Sequence, residues 1–195
     1  MFIITYYDIL QTDTLIVSGV DYLFDYYLDL SSSNTGVVLV SKNINEPIII
    51  TSWDFSKIKI NKELEKNQKQ TKKLQYIGKF LKEFEKKYPV ENIYLEGIFV
   101  QPQFRNSSEV LLKLHGVLMG TFYNKTILYT PPSVIKKVVT GKGNAKKEIV
   151  QDNIKRILNC SIRNSDEADA LALMLTNYPE GKDRKLQFIE KIIVR

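Results

Sequence analysis

A chain of 195 residues, 44% hydrophobic and 26% charged, has the length of one ordinary domain and the composition of a globular one, which excludes two large domains and a wholly disordered protein. Its single cysteine, Cys160, excludes an internal disulfide and any thiolate metal cluster within one chain, and no apolar run approaches the roughly 20 residues of a bilayer span. The net charge of +6 is uneven: residues 1–41 hold five aspartates and neither Lys nor Arg, while residues 42–195 hold 28 basic against 17 acidic residues, a net +11 that favours nucleic acid as partner over a membrane surface.

Residues 28–41, LDLSSSNTGVVLVS, place two apolar segments around a Ser/Asn/Thr/Gly turn, and Pro47 precedes the apolar run Ile48–Ile50. This reads as an antiparallel meander whose third strand includes Trp53–Ile60. A helix is expected from Asn61 to Tyr88, with Leu74, Ile77, Leu81, Phe84 and Tyr88 at helical spacing against a lysine-crowded opposite face. Asn92–Leu95 reads as a short buried strand, Ser107–Phe122 as an amphipathic helix and Thr126–Thr130 as another strand. Pro131 and Pro132 open a further helix, Gly141 and Gly143 break it, a helix follows from about Ala145 to Leu158, and a last core helix starts near Asp166. This order fits an α/β domain with a mixed sheet better than a doubly wound parallel one.

Three distant segments carry carboxylates in settings awkward for an acid. Asp29 sits between Leu28 and Leu30, and Glu96 ends the apolar strand Ile93-Tyr94-Leu95 at Gly97. Asp166 and Asp169, three apart, share one face of a helix that Leu171, Leu173 and Met174 anchor in the core. Singly, each has an ordinary reading: Asp166 as a helix cap, Asp29 in a turn, Glu96 facing solvent at a strand end. Jointly, with basic residues to hold phosphates, they suit a pair of Mg²⁺ ions, which take a few carboxylate oxygens plus water and substrate phosphate. The chemistry then expected is phosphodiester hydrolysis.

Four stretches in this order carry a family resemblance: Leu28-Asp29-Leu30 with Thr35-Gly36, residues 94–99 (YLEGIF), residues 141–147 (GKGNAKK) and residues 166–172 (DEADALA). Over roughly Phe24–Tyr178 the chain resembles the RuvC-like Holliday junction resolvases of the ribonuclease H-like superfamily. The first stretch alone is also similar to actin-like ATPases; Glu96 and the terminal pair of aspartates favour the nuclease. The resemblance implies a ribonuclease H-like fold, a mixed five-stranded sheet with helices on both faces. It implies that Asp29, Glu96, Asp166 and Asp169 bind two Mg²⁺ ions, with Mn²⁺ as a substitute, and that Lys147 acts near the scissile phosphate. Lys136, Lys146 and Lys147 would contact DNA, and Phe99 would stack on bases at the junction point. It further implies a homodimer that acts in DNA recombination and repair by nicking two strands of a four-way junction, with the helix Ser107–Phe122 at its interface.

The expected organisation is an N-terminal extension over residues 1–22, the nuclease domain over 23–180 and a basic C-terminal tail over 181–195. Other residues weigh less. His115, the only histidine, shares a helix face with Leu111 and Leu118, which suits a packed or interface imidazole. Ser31, Ser32 and Ser33 lack a base-and-orienter arrangement and read as turn residues. Rival functions are a broader nuclease of forked and flapped DNA at the same site and a catalytically silent junction-binding module. With neither a span nor a basic leader after Met1, the expected location is the cytoplasm of a bacterium or of a phage-infected host.

Overall fold

The computed structural model describes residues 22–98 and 105–195. The extension over residues 1–22, apart from Tyr22, and Phe99 therefore lie outside the described residues. The chain runs β1 (Phe24–Asp29), β2 (Asn34–Ser41), β3 (Ile48–Asp54), α1 (Lys66–Lys87), β4 (Val90–Glu96), α2 (Arg105–Thr121), β5 (Thr126–Thr130), α3 (Pro132–Thr140), α4 (Lys147–Leu158), α5 (Ser165–Asn177), a short 3-10 turn, β6 (Leu186–Phe188) and β7 (Ile192–Ile193).

Strand order is β5-β4-β1-β2-β3-β6, with β7 also on β3. The meander β1-β2-β3 is antiparallel, as the turn-separated apolar runs predict, while β4 joins β1 and β5 joins β4 in parallel. Alternating residues of β1 feed two cores, the consequence of the period of two in a strand. Phe24, Tyr26 and Leu28 face α1 and α2, where Ile77, Phe80, Phe84, Leu114, Leu118 and Phe122 close over them. Tyr27, with Val38 and Ile50 of the neighbouring strands, faces α3, α4 and α5. Helices thus cover both faces, as expected for this fold.

Three expectations need correction. The sheet has seven strands among the described residues instead of five, because the basic tail doubles back along β3: Ile48 N–H donates to Lys185 O at 2.8 Å, Ile189 N–H to Ile50 O at 2.9 Å and Val194 N–H to Asp54 O at 3.0 Å. Trp53 belongs to the strand that begins at Ile48, and the strand stops at Asp54, whose carboxylate accepts from the backbone and hydroxyl of Ser56 at 2.9 and 2.6 Å in a local turn. Helix α1 starts at Lys66, not Asn61: Asn61 closes its own turn onto Glu63 N–H at 3.0 Å, and the helix opens where Gln68 Oε1 reaches back to Glu65 N–H at 3.0 Å.

Candidate active site

Asp29 is the last residue of β1 and Glu96 the last of β4. The two strands are parallel neighbours with Leu28 beside Leu95, so the carboxylates leave the sheet side by side at its carboxyl edge, where ligands of open α/β sheets bind. Across the other edge of β1, Asp29 faces Gly36 of β2. A Cβ on Gly36 would overlap the carbonyl of Asp166, so the absence of a side chain is what lets the first turn of α5 rest on β2. Asn164 caps that turn, its Oδ1 accepting from Glu167 N–H at 2.9 Å, and the positive helix end favours the acids placed there.

Electrostatics tie these segments together. Asp29 is pushed up to about 8, chiefly by burial and then by the charges of Asp169 and Glu96, with Asp166 adding and Lys147 opposing. Glu96 is raised by burial and by Asp169, against Lys136 and Lys147. Asp169 is raised by burial and by Asp166, although Lys147 holds it with an ion pair of 2.5 Å. Burial lowers Lys147, but its bond to Asp169 and the charges of Asp29 and Asp166 prevail and raise it. The four acids, with Lys136 and Lys147, therefore lie within electrostatic reach of one another. Lys146, directly before α4, is exposed beside them without a contact to the acids.

Sequence reading missed two contacts. Asn34 Nδ2 donates to Asp166 Oδ2, and Arg163 pairs with Glu167. The turn composition disguised the first, and an Arg four residues before a Glu is too common to mark the second. His115 is 5% exposed, stacks on Tyr129 with centroids 5.8 Å apart and an Nδ1 to Oη separation of 3.3 Å, and is lowered to about 4 by burial. It lines a cavity of about 250 Å³ with Asp29, Leu30, Glu96, Gly97 and Leu111, so the packed imidazole also forms a wall of the site.

The donor set is all hard oxygen, and Asp29, raised to about 8 chiefly by burial and further by neighbouring carboxylates, is a group whose charge a divalent cation would favour. As the side chains stand, no three acids among the described residues are gathered closely enough to hold an ion. Lys147 engages Asp169 and Asn34 engages Asp166 instead. The chemistry of the residues fits the ion; their present side-chain directions are those of a site compensated by lysine.

The chain is similar to known proteins in sequence and in fold. The chain is 35% identical over 112 residues to a crossover junction endodeoxyribonuclease RuvC of Rickettsia typhi, covering 54% of this chain and 69% of that one. It is 30% identical over 138 residues to the corresponding protein of Prochlorococcus marinus, covering 68% and 84%. In structure it is similar to a T. thermophilus RuvC solved in complex with a Holliday junction substrate, with a TM-score of 0.57 at 18% identity over 83% of this chain and 96% of that one. The family profile of crossover junction endodeoxyribonuclease RuvC matches residues 28–177, a span that opens one residue before Asp29 and closes at the end of α5, and the chain belongs to that family.

Proposed function

We propose that this RuvC-family nuclease is a divalent-metal-dependent, structure-specific DNA endonuclease that resolves Holliday junctions by paired phosphodiester hydrolysis in a homodimer, in the cytoplasm of a bacterium or a phage-infected host. What supports the reading is the mutual electrostatic influence of Asp29, Glu96, Asp166 and Asp169, with Lys147 and Lys136 acting on the same group. The four acids would hold two Mg²⁺ ions, with Mn²⁺ as a substitute. Such ions, when bound, supply Lewis acidity for attack on a phosphodiester and charge for its departing oxygen.

The remaining roles belong to the chain. Lys147 stays protonated and half-exposed beside Asp169, where its ammonium can meet a phosphate oxygen. Lys136 and Lys146 extend the positive surface along the DNA backbone. His115, neutral at working pH, contributes shape rather than charge to the cavity wall. Phe99 is the proposed stacking residue at the junction point.

Dimerisation is supported by an apolar stripe on α2: Leu112, Met119 and Tyr123 just beyond it are exposed, and exposed Tyr129 of the edge strand β5 stacks on His115 of the same helix. Among the described residues a Cβ added at Gly116 or Gly120 would meet nothing within 4 Å beyond the helix itself, leaving that surface open to close approach.

The test is a labelled four-way junction incubated with the protein, with Mg²⁺, with Mn²⁺ and with neither, beside a Y-fork. Paired symmetric nicks in the junction that require the metal and vanish in Asp29→Asn are expected. Equal cutting of the fork would redirect the reading to a general branched-DNA nuclease, and binding without nicks in either metal would overturn it.

A further inference from the structure

Between the two aspartates of α5 stands an acid that points away from them. Glu167 is 1% exposed. With about 100° of helix rotation per residue, it projects about 100° round the helix from Asp166 and about 160° from Asp169. A buried carboxylate is unfavourable unless it is paired and hydrogen-bonded, and here both needs are met by Arg163. Its Nη2 donates to Glu167 Oε1 at 2.5 Å and its Nε to Oε2 at 3.2 Å, a two-pronged contact.

The same guanidinium does more than neutralise Glu167. Nη1 donates to Ile189 O at 2.6 Å, Nη2 reaches Ile50 O at 3.4 Å, and the group lies 5.4 Å from the ring centre of Phe188. One planar fork thus joins the first turn of α5, strand β3 and the segment carrying β6. The family match ends at Asn177, so the segment gripped on the far side lies beyond the part of the chain shared with the family.

A buried ion pair is a poor source of stability, since apolar side chains of similar volume do as well or better, but it fixes geometry. Gly36 and the Asn164 cap set where α5 begins, and buried Ala168 and residues 170–175 hold the body of the helix in the core. The grip on Glu167 adds a directional constraint in the first turn, where Asp166 stands. We propose that Arg163 and Glu167 are positioning residues for the active site: by locking the rotation of α5 against β3 and the C-terminal segment, they aim Asp166 and Asp169 at Asp29 and Glu96. This rests on the reading of those four acids as the metal-binding set.

The experiment compares the full-length protein with Arg163→Met/Glu167→Met and with Arg163→Lys. Three readouts are taken: Mn²⁺ binding by calorimetry without DNA, thermal unfolding, and the Mg²⁺ concentration for half-maximal junction cleavage. The double variant removes the charges while keeping volume, so its unfolding temperature is expected to stay near that of the parent. Its Mn²⁺ affinity should fall about 10–100-fold, the range usual for lost support behind metal ligands, and its Mg²⁺ requirement should rise in parallel. Arg163→Lys keeps one charge but cannot fork to three acceptors, and should fall between the two. A folded double variant that binds Mn²⁺ as the parent does overturns the inference; should that variant fail to fold, parental Mn²⁺ affinity in Arg163→Lys overturns it equally. A parent protein that neither binds Mn²⁺ nor cuts the junction overturns the metal-site reading itself, and this inference with it.

Discussion

Gly36 and Asp166 occupy each other's space: a Cβ on the glycine would coincide with the carbonyl group of the aspartate. The contact is backbone against backbone position, so no side chain can rotate out of the way. Gly36→Ala must push α5 off β2, and overpacking of this kind costs about 1–3 kcal/mol or more. The expected outcome is a lower urea midpoint together with loss of junction cleavage, because the displaced helix carries two of the four acids. An alanine variant with the parent's midpoint and rate would show that α5 does not depend on this approach.

Asp29 makes metal-free stability depend on pH. Its folded value of about 8 lies above the ordinary 3.8. Below about pH 4 the carboxyl is protonated in both states and no penalty exists; as pH rises toward 8 the unfolded chain ionises first and stability is lost. In chelator, Asp29→Asn should therefore gain stability relative to the parent, by an amount that grows from pH 5 to pH 8. Denaturant unfolding at both pH values measures it. Adding Mg²⁺ should reverse the order at pH 8 by stabilising only the parent. A difference that stays flat with pH would remove the electrostatic account of the site.

His115 titrates in the opposite sense. Burial lowers it to about 4 in the folded protein against an ordinary 6.5, so the unfolded chain gains a proton first as pH falls. The stability associated with the neutral ring is complete above about pH 6.5 and is lost on the way down to pH 4. A ring-nitrogen chemical shift that reports a neutral imidazole at pH 5.5 is the direct check. His115→Phe should reduce the loss of stability between pH 6.5 and 4.5 relative to the parent.

Lys136 and Lys146 are assigned to phosphate, and each such contact adds roughly 0.9 to the slope of log affinity against log salt concentration. In an Asp29→Asn background, replacing both with alanine should lower the slope for junction binding by about 2. Lys147 is left in place because it also holds Asp169. An unchanged slope would place the DNA path elsewhere on the surface.

The exposed stripe of Leu112 and Met119 should carry the dimer. Leu112→Glu/Met119→Glu is expected to sediment as a monomer at concentrations where the parent is dimeric. It should also convert paired cuts into single, uncoupled nicks. A variant that remains dimeric excludes this face of α2.

Much of the molecule was legible because period and punctuation agreed. The turn between β1 and β2, the proline opening α3, Gly141 closing it in the left-handed region at φ 77°, and the apolar spacing of α1 beyond Leu74 all announce themselves locally. So do Asp29 and Glu96, as acids at the ends of apolar strands. What escaped depends on distance along the chain. Strands β6 and β7 are short, three and two residues, and exist only because β3 offers an edge. Arg184 anchors the turn after β2 through the carbonyls of Ser41, Asn43 and Glu46, which residues 181–195 alone give no hint of. Asn34 looked like one turn residue among several until Asp166 arrived beside it. Asn61 was a plausible helix start by type, but its side chain satisfied a nearer donor first.

Strand β3 is synthesised early yet receives its outer neighbours last, and the acids of α5 emerge from the ribosome long after Asp29. A nascent chain that has reached only β5 holds Asp29 and Glu96 and no more of the acidic quartet. If the four acids form the catalytic set, DNA near a translating ribosome meets no competent cutter until synthesis has passed α5, and the hydrogen bond from Arg163 to Ile189 O forms only once the following residues have folded back.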